Sequence, residues 1–214
     1  MLIRSKRAAL ALAAAIVGLS HDALAANAAE PVVPLQEIIG DRTPAMWSAR
    51  WWTWASSPQH GAPAVRDREG PRCNDGQEGE VFFLAGSFGG APVHRTCRVP
   101  AGKFLFFPVV TYIVMPNGGS SCGSLASTAA GMTDDPSELF AELDGVAIRK
   151  LESRRVATDQ CFNVNARWSG PQLDSASNGY WLMLRPLSPG KHQLHFGGTL
   201  PTLHQDISYT LIVG

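Results

Sequence analysis

Val81-Phe82-Phe83-Leu84-Ala85, bounded by Gly79 and Gly86, is a continuous apolar run of strand length. Such a run between turn signals predicts a strand buried on both faces. Related runs recur downstream. Phe104 to Val114 is a long apolar stretch interrupted by Pro108, Tyr180-Trp181-Leu182-Met183-Leu184 is another, and Ile207 to Val213 alternates as a closing strand. Cys97-Arg98-Val99 leads into the turn Pro100-Ala101-Gly102, and Val156 to Arg167 is expected to hold a further strand. Asp144-Gly145, flanked by Glu142-Leu143 and Val146-Ala147-Ile148, is a two-residue hairpin signal, because both turn positions favour residues that accept positive φ. Pro189-Gly190 turns into His192 to Phe196. Strands at this spacing, with no long helical pattern between them, predict a mainly β fold. The expected architecture is an antiparallel β-sandwich of jelly-roll or Ig-like type.

Upstream of these strands the pattern is helical. Thr43-Pro44 supplies a cap and a proline at the first helical position, so Ala45 to Ser56 is predicted as a helix. At about 100° per residue, Trp47, Trp51 and Trp54 fall on one arc and are expected to pack this N-terminal Trp-rich helix onto the body. Residues 26–43, rich in Ala, Pro and Val, read as a leader or ordered arm.

Residues 1–25 carry the three-part pattern of a signal peptide. Arg4, Lys6 and Arg7 precede an apolar run from Ala8 to Leu19, and Ala23-Leu24-Ala25 forms a cleavage site. The run falls short of the roughly 20 residues a membrane-spanning helix needs, so no membrane span is expected after its removal. The destination is then periplasmic or secreted. Residues 44–214 are read as one domain. Loss of Arg4, Lys6, Arg7 and Asp22 turns 18 basic and 18 acidic residues into 15 and 17. That near-neutral balance, with no basic run, gives no support for nucleic-acid binding.

Cys73, Cys97, Cys122 and Cys161 all lie beyond the signal. An even count in an exported chain reads as two disulfides; of the three possible pairings, Cys73–Cys97 with Cys122–Cys161 is favoured because each would tie neighbouring segments. The lack of any C-x-x-C spacing speaks against a four-cysteine metal site.

Cys73-x-x-x-Gln77-x-Gly79-x-Val81-Phe82-Phe83-Leu84 is followed by Arg95-Thr96-Cys97-x-Val99-Pro100-x-Gly102-Lys103 and Leu105-Phe106-Phe107-Pro108. Further on come Asp144-Gly145 and Leu187-Ser188-Pro189-Gly190-x-His192, and then Tyr209-x-Leu211. In this order the series resembles a set of exported microbial β-sandwich proteins of unassigned activity, over about residues 44–214. The resemblance implies export and a β-sandwich, and it carries no catalytic residues.

Trp52 is the candidate binding residue. It lies about 140° around the helix from Trp47, so one core face cannot take both. Exposed, it offers a flat apolar surface to a glycan or protein partner; the competing reading is that the leader covers it. His192, His195 and His204, with Asp206, are the densest histidine group. However, His192 and His195 point to opposite faces of a strand and His204 is expected in the loop after Pro201, so no metal is expected.

Gly119-Ser120-Ser121-Cys122-Gly123 matches the G-x-S-x-G nucleophile elbow, and Asp159 or Asp174 with His192 or His195 would complete the order of a triad. The α/β alternation which that elbow requires is missing. Among carboxylates, Asp134-Asp135 precede Pro136, the second expected to cap a short helix from Ser137; Asp67 and Glu69 sit among arginines in a charge-balanced loop. Adjacent residues such as Asp134 and Asp135 rarely reach the ~5–9 Å separation of glycoside hydrolysis, whereas Asp67 and Glu69 would share a face if extended. No phosphate loop or dinucleotide fingerprint is present, so no cofactor is expected. The reading is an exported binding or structural module of the envelope, without catalysis. The alternative is a small secreted hydrolase using Ser121 or a carboxylate pair.

Overall fold

A computed structural model describes residues 30–59, 61–167 and 169–214. The expected signal peptide, and the first four residues of the leader, lie outside them. In chain order the helices are α1 (Pro44–Ala55), α2 (Gly61–Arg66) and α3 (Cys122–Gly131). The strands are β1 (Val81–Phe83), β2 (Val93–Val99), β3 (Phe104–Val114), β4 (Ser137–Leu143) and β5 (Val146–Ala147). They continue with β6 (Arg155–Ala157), β7 (Phe162–Asn163), β8 (Asp174–Leu184), β9 (Gly190–Leu200) and β10 (Leu203–Val213).

The fold is mainly β, in two mixed five-stranded sheets. The first has the order β1-β3-β8-β6, with β7 also on β8; the second runs β2-β10-β9-β4-β5. The sheets are not purely antiparallel as expected, because β1 pairs with β3, and β2 with β10, in parallel. The reason lies in the connection after Gly86. It carries the chain across to the other sheet instead of folding it back, so β1 and β3 share a direction with β2 between them in sequence.

Alternation sets the layers. Leu105, Phe107, Tyr180, Leu182 and Leu184 from the first sheet share a buried cluster with Leu194, Phe196, Ile207, Tyr209 and Leu211 from the second. The intervening residues Phe106, Trp181 and Met183 belong instead to a cluster with Trp47, Trp51 and Trp54 of α1. Thr43 caps α1 by accepting from the Met46 N–H at 3.2 Å. The Nε1–H of Trp47, Trp51 and Trp54 each reach a backbone carbonyl, of Ile39, Leu84 and Asp75.

Pro108 interrupts β3 with a bulge, and Val109 and Val110 then both face the core. The carbonyls it frees are taken by one side chain. Gln205 Nε2 donates to Pro108 O at 3.1 Å and Val109 O at 2.8 Å, while its Oε1 accepts from the Ser87 N–H at 2.8 Å.

Asp144 and Gly145, at φ 51° and 80°, make the expected hairpin turn between β4 and β5. The cysteines pair as Cys73–Cys97 and Cys122–Cys161. Three local expectations change. Ser137 begins strand β4 and not a helix, since Asp135 turns the chain at φ 51° and Pro136 leads into an extended segment. His204 lies within β10, paired with Thr199, because Pro201-Thr202 is a two-residue turn that lets both strands run on. Helix α2, in a stretch where no helix was expected, is the third.

Candidate apolar binding cleft

A cleft of about 590 Å³ opens where α1, α2, β3 and three loops meet. Trp51, Trp52, Ala55 and Ser56 come from α1, and Ala62, Val65 and Arg66 from α2. Pro108, Thr111, Tyr112, Ile113 and Met115 come from β3 and its end. Gly86, Ser87 and Phe88 belong to the β1–β2 connection, Asn165, Pro171 and Leu173 to the segment before β8, Thr202 to the β9–β10 turn, and Leu203 and Gln205 to the start of β10.

Trp52, off the arc shared by Trp47, Trp51 and Trp54, lines this cleft together with Trp51. It is half-buried and stands nearly perpendicular to Trp51, at 89° with ring centroids 5.1 Å apart, and its Nε1–H has no acceptor among the described residues. The leader covers the opposite side, where Val33, Leu35 and Ile39 lie against Trp47. Phe88 and Met115, at the rim, are 70% and 46% exposed. Among the described residues five large apolar side chains are exposed, and two of them line this cavity.

The walls are held from behind by Arg95, a residue that sequence reading did not single out. It is 3% exposed on β2. Its Nε donates to Asp67 O, Nη1 to Ala85 O and the Tyr209 hydroxyl, and Nη2 to Val65 O and Gly86 O. Five donors therefore fix the end of α2 and the β1–β2 connection to the second sheet. Burial pushes the Tyr209 hydroxyl up against the pull of Arg95, so it stays protonated and donates to Ala85 O. Alternation in β2 gives the inward direction, but no local pattern names partners that lie 9 to 114 residues away.

The other candidates stand elsewhere. Ser121 caps α3, accepting from the Ser124 N–H at 3.2 Å, and Cys122 beside it is in a disulfide. Among the described residues no histidine or aspartate bonds to Ser121. Asp174 accepts from Gln172, Asp134 pairs with Arg155 at 2.7 Å, and Asp67 accepts from the Glu69 and Arg72 N–H groups. Burial pushes Asp67 up, but those backbone bonds hold its carboxyl below the usual range.

The histidines are separately engaged: His195 Nε2 lies 2.8 Å from Asp206, and His204 Nδ1 2.9 Å from Thr199 Oγ1. Among the described residues no group of three His, Cys, Asp or Glu is placed to hold a metal.

His192 has the outline of a triad, with Nδ1 2.7 Å from Asp144 Oδ2 and Nε2 3.4 Å from Ser188 Oγ. Yet Nε2 is closer, at 2.9 Å, to the Ser188 carbonyl, which accepts only from a protonated nitrogen. With a carboxylate at the other nitrogen the ring is favoured as a double donor. It ties the hairpin to the Pro189-Gly190 turn and offers no base to the serine.

The cleft thus concentrates apolar and aromatic surface, with a few polar groups and no catalytic constellation. No protein-family model and no curated protein matches the chain. A chain from "Structure of PbICP-C in complex with falcipain-2" aligns with 64% of this chain and 100% of that chain, at 12% identity and a TM-score of 0.26. A likeness that slight carries no argument.

Proposed function

We propose that the chain is an exported, non-catalytic binding protein whose cleft takes a small, mainly apolar molecule. In this reading residues 44–214 form one β-sandwich domain with its Trp-rich helix, behind a signal peptide at 1–25 and an arm at 26–43. The two disulfides support an oxidising, periplasmic or secreted destination. Among the described residues no helix is long and apolar enough to cross a membrane.

The observation that carries the binding reading is the 590 Å³ cleft bordered by exposed Phe88 and Met115. Its size and lining are those of small-molecule sites, in which apolar walls supply affinity and sparse polar groups fix orientation. A glycan would need a denser set of polar partners, so an apolar or aromatic ligand is favoured for Trp52.

Ile113 lines the cleft but packs against neither buried cluster, so Ile113→Glu places a charge in the cavity with little effect on the core. N-phenyl-1-naphthylamine, a neutral apolar fluorophore, is expected to bind the mature protein saturably. Ile113→Glu should abolish that binding, and Val146→Glu, on the remote hairpin, should leave it intact. Equal titrations by the Ile113→Glu protein and the parent would defeat the proposal.

A further inference from the structure

We propose that the cleft selects an apolar anion, such as a monocarboxylate, and that Arg66 pairs with its charged group. This rests on the cleft being a binding site. Arg66 is the one charged side chain among the described lining residues, and no carboxylate is among them. It is exposed on the last turn of α2, with no hydrogen bond or ion pair among the described residues.

The neighbouring cations are all occupied. Arg68 donates to the carbonyls of Ala91 and Pro92, Arg72 pairs with Asp75, and Arg95 is buried with its donors used. Asp67, the adjacent acid, has both oxygens turned to backbone N–H groups and forms no ion pair with Arg66 among the described residues. Among the described residues the cleft therefore presents apolar walls, one positive charge and no negative one. A neutral apolar molecule would leave that charge unused. A cationic one would be repelled by it. A carboxylate or sulfonate matches the guanidinium fork with two parallel hydrogen bonds.

Two fluorophores with the same apolar skeleton isolate the charge: N-phenyl-1-naphthylamine and its 8-sulfonate, 8-anilinonaphthalene-1-sulfonate. The parent protein is expected to bind the sulfonate roughly tenfold more tightly. Arg66→Gln should remove that preference, bringing the two probes to equal affinity. Arg66→Lys should retain part of it. Dodecanoate should displace the sulfonate from the parent at lower concentration than from Arg66→Gln, extending the result to carboxylates. Equal affinity for both probes in the parent, or a preference that survives Arg66→Gln, would overturn the anion proposal and leave the apolar cleft standing. Failure of both probes to bind, or binding indifferent to Ile113→Glu, would overturn the cleft reading and this proposal with it.

Discussion

A guanidinium that is 3% exposed and bonded to four carbonyls and a hydroxyl, with no carboxylate among its hydrogen-bond partners, is a demanding arrangement. Desolvating a charge is tolerable only when nearly every donor is satisfied. Here they are, and the benefit is geometric, since one side chain sets the spacing between α2 and the loop that opposes it across the cleft. Removing it leaves several buried acceptors unpaired at once. Arg95→Met, of similar length, is expected to lose about 3 kcal/mol or more in denaturant unfolding and to weaken probe binding as well. Tyr209→Phe should lose about 1–3 kcal/mol, because the hydroxyl both donates to Ala85 O and accepts from the Ala85 N–H. The two losses should be non-additive in a double-mutant cycle, since they share the Ala85 carbonyl. Additive losses would show that the two residues act separately.

Helix α1 buries Trp47, Trp51 and Trp54 more fully than Trp52, and the separate placement of Trp52 was legible in the sequence from angular spacing. Trp54 is fully buried and donates to Asp75 O, whereas Trp52 is half-buried beside the cleft. Trp54→Ala is accordingly expected to cost about 3–5 kcal/mol, and Trp52→Ala about 1–2 kcal/mol, both read from chemical unfolding. The binding effect should run the other way, with Trp52→Ala weakening the neutral probe several-fold; similar losses from both variants would refute the division. The cleft itself was not legible. Its other walls are α2, a six-residue helix hidden in a Pro- and Gly-containing stretch, and loop residues such as Phe88 and Met115, which are brought together only by the crossing between sheets.

The β4–β5 hairpin is a second element with its own chemistry. Burial resists charge on both members of its tie, but their mutual hydrogen bond and charge prevail, helped by the Gln193 N–H and the Ser188 carbonyl. Asp144 is thereby held below the ordinary carboxylate value and His192 above the ordinary imidazole value. The raised histidine contributes stability that is complete below its unfolded value of 6.5 and fades as pH rises through the higher folded value. The lowered aspartate contributes above its unfolded value of 3.8 and is lost as pH falls through the folded one. Asp144→Asn keeps a residue tolerant of φ 51°, so it removes the charge without breaking the turn. Its deficit in melting temperature should be largest between about pH 4 and 6.5 and should shrink toward pH 8.5. A deficit flat across that range would dismiss the ion pair.

At the scale of the molecule, the order of layers is second sheet, first sheet, helix, and the sequence foretold the strands better than their partners. Runs such as Tyr180–Leu184 announce themselves because both of their faces are buried. The parallel pairs do not, since pairing direction depends on which sheet each connection leads to. The same layering gives residues 30–43 a structural role. The Val33 N–H donates to Met183 O at 2.8 Å, the Arg185 N–H to Pro31 O at 2.8 Å, and the Arg154 guanidinium to Val33 O at 3.0 Å. Val32, Val33 and Ile39 are at most 8% exposed, and Glu37 forms a two-bond ion pair with Arg185. The arm therefore closes the edge of the aromatic cluster beside Trp47, Phe106 and Trp181 that α1 alone leaves open. Each of these three aliphatic side chains contributes about 1.5 kcal/mol or more by leaving water. Deleting residues 26–42 from the mature chain should lower the melting temperature by somewhat less than about 10 °C. Val33→Asp in the full arm should reproduce most of that loss, because it buries a charge against Met183 without shortening the chain. A truncated protein melting with the parent would mean that the arm lies over the sheet without stabilising it, and that α1 and the two sheets hold the aromatic cluster by themselves.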